Sequence, residues 1–161
     1  MIVIVMGVVG AGKTTVGTLL ATELGWEFAD ADDFHPTANV EKIRNGIPLT
    51  DADRAPWLER LSEAIADCIA AGKNLVLACS ALKRKYREKL TVGSEVRFVY
   101  LKGSAGLITQ RLHARHGHFA GESILASQLG DLEEPQDAVV VDIAQTPLQI
   151  VDSIRKQLGL G

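Results

Sequence analysis

Apolar positions along this chain follow two spacings, and the two alternate. Short apolar runs stand at "IVIVM" (2–6), which is rich in β-branched residues, "WEFAD" (26–30), "NLVLACS" (74–80), "VRFVYL" (96–101) and "AVVVDI" (138–143). Runs this short and this apolar suit strands covered on both faces. Between them, helical spacing is expected at 13–24, 36–46, 52–73, 81–90, 105–115, 124–131 and 147–158. In the longest of these segments, Trp57, Leu58, Leu61, Ile65 and Ile69 mostly recur three or four apart and mark one apolar stripe. Pro36 and Gly46 bracket the second, as an N-terminal proline and a C-terminal glycine do. Strands alternating with helices make an α/β fold, a parallel sheet with helices on both faces.

Composition narrows the reading further. The 161 residues are 47% apolar, with no low-complexity linker, so one domain over 1–161 is expected. A net charge of -3 argues against a nucleic-acid surface, which is normally basic. Cys68 and Cys79 have neither metal-ligand spacing nor a redox pair's spacing, and read as two buried thiols. The opening apolar run, Ile2 to Met6, is too short for a signal peptide or a membrane span, so the cytoplasm is the expected compartment.

The first strand runs into Gly7-Val8-Val9-Gly10-Ala11-Gly12-Lys13-Thr14, an ungapped GxxxxGK[ST]. Glycines let a backbone curl until several N–H groups point at one cluster of phosphate oxygens, and the following helix adds its positive end. Gly7, Gly10, Ala11, Gly12, Lys13, Thr14 and Thr15 are therefore the expected ATP-binding set. Lys13 should reach the β- and γ-phosphates, and Thr14 should place its hydroxyl on Mg²⁺.

A magnesium site of this kind also draws on an acid at a strand end. The last strand ends in Asp142, but lies far along the chain from the loop. The third offers only Cys79 and Ser80. "FADADDFHP" (28–36) fills the gap. If the segment stays extended, Asp30 and Asp32 point one way and Asp33 the other. Asp30 could then hold the magnesium hydration shell and Asp32 accept the proton of an attacking hydroxyl, with Asp33 left to cap the next helix.

The stretches "DADDFHPTANVEKIRNGIPLTDADRAPWL", "CSALKRKYR" and "ARHGHF" resemble the gluconate kinases of the P-loop, shikimate-kinase-like group. The likeness runs from Gly7 to about Ile143. Ala31 and Asp33 depart from the glycine and apolar residue frequent there. The resemblance implies transfer of the ATP γ-phosphoryl group to the 6-hydroxyl of D-gluconate. It also implies a P-loop kinase fold with a five-stranded parallel core, a lid over about 115–131, and commonly a homodimer.

A sugar acid needs cations and bidentate partners. Arg54 is assigned to it, the alternative being a surface arginine paired with Asp51 or Asp53. His35 should line the same pocket or cap a helix, and Trp57 should wall it or pack in the core. Ser80 and Ala81 are expected to begin a helix at a strand's C-terminal end. From that helix Lys83 and Arg87 should face the substrate, with Arg84 and Lys85 in solvent. Arg115 is the expected transition-state arginine, with His118 near the substrate and Arg111 on the nucleotide. A metal site from His113, His116 and His118 lacks an acidic or thiol companion. Gln145 or Pro147 should lie against adenine, by analogy of fold. Two rivals are a kinase of another small hydroxy-acid or nucleotide, and a regulatory ATP-binding module; the paired acids and the arginines argue against the module.

Overall fold

The computed structural model describes residues 1–116 and 122–161, with side chains described outside 115–123. Strands Ile2–Met6 (β1), Glu27–Asp30 (β2), Leu75–Ala78 (β3), Val96–Lys102 (β4) and Val139–Asp142 (β5) form one parallel sheet in the order β2-β3-β1-β4-β5. The helices are Lys13–Leu24 (α1), Thr37–Arg44 (α2), Asp51–Ala70 (α3), Arg84–Leu90 (α4), Ala105–His116 (α5), Glu122–Asp131 (α6) and Pro147–Leu158 (α7). The architecture is the expected three-layer P-loop kinase fold.

Alternation along β1 divides the core into two layers. Val3 and Val5 pack with Val16 and Leu20 of α1, Ile108 and Leu112 of α5, and Ile150, Val151 and Ile154 of α7. Ile2, Ile4 and Met6 pack on the opposite face with Trp57, Leu61 and Ile65 of α3 and Tyr86 and Leu90 of α4. All five β1 residues are buried, as a central parallel strand requires. Its neighbours β3 and β4 lie on opposite sides, so the chain reverses its winding beside β1. A crevice opens at the C-terminal strand ends at such a switch point.

Two local expectations are corrected. The helix foreseen from residue 81 begins at Arg84, and the preceding residues form a loop. Ala81 sits there in the left-handed region, at φ 47°, which an α-helix excludes. The second concerns the acids after β2. Ala31–Phe34 form a 3-10 turn instead of continuing extended, because the Asp30 carboxylate accepts the Asp32 N–H at 2.9 Å. Trp57 Nε1 fastens the turn from beneath by donating to the Ala31 carbonyl at 2.7 Å.

Candidate active site

The phosphate loop follows β1 at the C-terminal edge of the sheet. Gly10 and Gly12 have φ of 83° and 97°, values that side-chain-bearing residues rarely adopt. A Cβ on Gly10 would also stand 2.9 Å from Leu112 Cγ, so the loop can seat on α5 only as glycine. The loop is tied to the next strand's end by the Gly7 N–H, which donates to the Ser80 carbonyl at 3.3 Å. Gly10, Gly12, Lys13, Thr14 and Thr15 line a cavity of about 330 Å³. Gly7 and Ala11 are buried and shape the loop from behind.

The acids stand beside the loop. Thr14 Oγ1 donates to Asp30 Oδ2 at 3.1 Å, and Asp32 lines the same cavity. The pairing expected from extended alternation is reached by a different route, through the 3-10 turn. Asp33 is exposed and is not among the lining residues. Lys13 Nζ donates to the Val8 carbonyl at 3.0 Å. Burial lowers its pKa, while Asp32, Cys79 and Asp30 pull it back up. Asp32 keeps access to solvent through the cavity, yet the protein around it, and then Asp30, raise its pKa against the opposing pull of Lys13. Cys79 also lines the cavity, its thiol pushed up to about 12 by burial and therefore protonated. Asp142 closes a turn instead, accepting the Ala144 N–H at 2.8 Å.

The far end of the cavity is built by the 3-10 turn, α2 and the start of α3. His35 stacks on Trp57, with ring centroids 4.4 Å apart and planes 12° from parallel, and its Nδ1 lies 3.2 Å from Asn39 Nδ2. Burial, then the nearby Arg54, lower the His35 pKa to about 4, so the ring is neutral near pH 7. Trp57 both packs in the core and walls the cavity. Arg54 follows a capping box, in which Thr50 Oγ1 accepts the Asp53 N–H at 3.1 Å and Asp53 accepts the Thr50 N–H at 2.9 Å. Lys42 occupies Asp53 at 2.8 Å, and Arg54 turns into the cavity.

Two groups of lining residues escaped the sequence reading. Ile43, Ile47, Pro48 and Leu49 add an apolar part to the cavity's lining; the exposure of Ile43 and Ile47 was not legible from helical spacing alone. From α6 come Ile124, Ser127 and Gln128, and Gln128 Oε1 accepts the Val9 N–H at 2.6 Å. That contact joins residues 119 positions apart, and no local pattern announces it.

Several expected site residues are placed elsewhere. Arg87 is buried and spends its guanidinium on three carbonyls, those of Ala81, Leu82 and Glu133, at 2.8, 3.0 and 2.8 Å. It satisfies the backbone of the loop around left-handed Ala81 and does not line the cavity. Lys83 is drawn to Asp51 at 3.1 Å, also off the cavity wall. Arg84 and Lys85 do lie toward solvent, with side chains 79% and 58% exposed. Arg111 donates to the Ile143 carbonyl, Gln145 Nε2 to the Asp142 carbonyl at 2.9 Å, and Pro147 opens α7 behind the Thr146 cap. These three hold the β5–α7 connection and are not among the cavity's lining residues. The Arg115 and His118 side chains, with the lid segment 115–123, lie outside the described residues.

A glycine-rich loop between a strand and a helix, beside two acids at the switch point of a parallel sheet, places this chain among the P-loop phosphotransferases. The shikimate kinase family profile matches residues 9–158. A gluconokinase of Gluconobacter oxydans is 53% identical over 83% of this chain and 76% of its own. Among solved structures, a sugar kinase from a Janibacter species superposes with a TM-score of 0.90 at 44% identity, covering 98% of this chain and 94% of that one. A gluconokinase from Sinorhizobium meliloti gives 0.88 at 41% identity, covering 98% and 90%. The chain belongs to the shikimate kinase family and, within it, to the gluconokinases.

Proposed function

We propose that this protein transfers the γ-phosphoryl group of ATP to the 6-hydroxyl of D-gluconate, giving 6-phospho-D-gluconate and ADP. The observation that carries this reading is one cavity lined by both the phosphate-loop residues Lys13 and Thr14 and a second set, Asp30, Asp32, His35 and Arg54. The first set suits a triphosphate and the second a polyhydroxylated anion. The two relatives named gluconokinase support the same substrate.

Roles follow from chemistry. The loop amides and Lys13 bind and neutralise the phosphates, and Arg54 receives the sugar-acid carboxylate through its planar fork. His35, neutral and ring-stacked, and Ser80 at the cavity wall supply hydrogen-bonding groups to the hydroxyl row. Asp32 accepts or orients the proton of the 6-hydroxyl; its raised pKa makes it a better acceptor than an ordinary aspartate. Thr14 and Asp30, hard oxygen donors 3.1 Å apart, fit Mg²⁺, which takes one or two such ligands and keeps several waters. When bound, that ion would neutralise charge on the phosphoryl oxygens. The charge-neutralising role of Arg115, and the place of His118 near the substrate, rest on the sequence motif. A homodimer rests on the resemblance, and the cytoplasmic compartment on the sequence reading. Among the described residues no helix is long and apolar enough to cross a membrane.

The deciding experiment is ADP formation from MgATP with D-gluconate, shikimate, glucose, nucleoside monophosphates or no acceptor. Turnover with gluconate alone is expected. Turnover with a different acceptor would keep the phosphotransferase and discard the assigned pocket, and turnover without any acceptor would make the protein an ATPase.

A further inference from the structure

Arg54 and Asp51 stand three apart in the first turn of α3, a spacing at which a direct ion pair can form. The structure shows another arrangement. Asp51 is held by Lys83 at 3.1 Å and Lys85 at 2.5 Å, and it accepts the hydroxyl proton of Tyr86. The Tyr86 hydroxyl oxygen in turn accepts a hydrogen bond from Arg54 Nη1 at 2.9 Å. The guanidinium carbon stands 5.4 Å from the centre of the Tyr86 ring. Lys83 and Lys85 approach the same ring at 5.7 and 5.9 Å. On its other side, Arg54 Nη2 forms a long salt bridge, at 3.8 Å, with the partly exposed Asp131. The tyrosine is 4% exposed and packed in the core, so its hydroxyl is a fixed point.

We propose that Tyr86 is a positioning residue that selects the acid end of the substrate, by aiming the Arg54 guanidinium into the cavity while Lys83 and Lys85 neutralise the aspartate that would otherwise claim it. This rests on the reading of Arg54 as the carboxylate receptor. A guanidinium paired closely with a carboxylate has its charge cancelled and its fork filled. Tyr86 accepts one N–H without adding negative charge, and the two lysines offset Asp51 behind it. Arg54 thus keeps donors and net positive charge for an incoming anion. Lys83 and Lys85 do not line the substrate cavity, yet through Asp51 they act on the substrate's charge at one remove.

The test compares native protein with Tyr86→Phe and, in parallel, Arg54→Met. Each is assayed with D-gluconate, with its neutral counterpart D-gluconamide, and across ATP concentrations, after circular dichroism confirms folding. Tyr86→Phe keeps the ring and removes only the hydroxyl. Its KM for gluconate should rise about tenfold, the worth of one hydrogen bond to a charged group. The KM for ATP should hold, kcat should stay within about twofold, and preference for gluconate over gluconamide should drop by the factor seen in KM. An unchanged gluconate KM in Tyr86→Phe, beside a large rise in Arg54→Met, would overturn the role of Tyr86 and leave the carboxylate receptor standing. An unchanged gluconate KM in Arg54→Met would overturn both. Equal losses for gluconate and gluconamide would make Tyr86 a merely structural residue.

Discussion

Thr14 Oγ1 donates to Asp30 Oδ2 across 3.1 Å, joining the first turn of α1 to the last residue of β2. The hydroxyl and the carboxylate are thereby held side by side at the phosphate end of the cavity, where a hydrated cation would need them. Asp30→Asn keeps the size and removes the charge. The Mg²⁺ concentration giving half-maximal activity should rise by about 10- to 100-fold, the range for losing a group that orients a metal's surroundings. A MgCl₂ titration at fixed ATP measures this, and an unchanged midpoint would remove Asp30 from the metal's surroundings.

Asp32 shares the cavity but not that bond, so its substitution should separate from the first. Asp32→Asn is expected to lower kcat by about 100-fold or more, the usual worth of a positioned base. ATP affinity, followed by titration of a fluorescent analogue, should change little. A near-native kcat would reassign the proton to water.

The stacked His35 bears on stability. Its pKa falls from 6.5 in the unfolded chain to about 4 in the folded one. Between those values the unfolded chain binds the extra proton, so the contribution of neutral His35 is present above pH 6.5 and is lost as pH falls toward 4. Urea midpoints measured down this interval should decline, and the decline should flatten in His35→Gln. Equal slopes in the two proteins would assign the acid sensitivity to other groups. The His35 ring resonances should titrate near pH 4 in the native protein.

Gln128 links α6 to the phosphate loop through the Val9 N–H. Gln128→Ala leaves that donor without its acceptor. Losing one ordinary hydrogen bond should raise the KM for ATP about fivefold. Steady-state kinetics with saturating gluconate would show it; a native KM would mean that the loop holds its shape unaided.

Arg87 gives the opposite expectation from a substrate-binding residue. Arg87→Met strips the guanidinium from three carbonyls in a largely buried setting. A loss of about 2–4 kcal/mol in unfolding free energy is expected, at 1–3 kcal/mol for each group left without a partner and with water recovering some of the cost. The KM for gluconate, measured below the new melting range, should stay close to native. Native stability with a raised KM would return Arg87 to the pocket.

How much of this could be read from the chain follows the range of the interactions. The strand runs, the helical stripes and the glycine loop are local: each element's backbone geometry sets a spacing that its own residues display. The alternating order then leaves few topologies, and the parallel sheet was among them. Asp30 and Asp32 were legible because they stand at and just past the end of a strand that must finish near the loop. Their geometry was not, since a carboxylate accepting its neighbour's N–H bent the segment into a 3-10 turn. The basic run 83–87 shows the limit most clearly. Its four cations are chemically alike in sequence, and the structure turned Arg87 inward and Lys83 and Lys85 toward Asp51. Lys83 and Lys85 met Asp51 from 32 and 34 residues away, and Arg87 joined two carbonyls 5 and 6 residues away to a third 46 away; the contact of Gln128 with the phosphate loop spans further still. By itself the sequence determined which elements form and that a triphosphate cradle is present. Tertiary packing decided which charged side chains face the cavity, because each charge pairs with whatever partner the fold brings beside it.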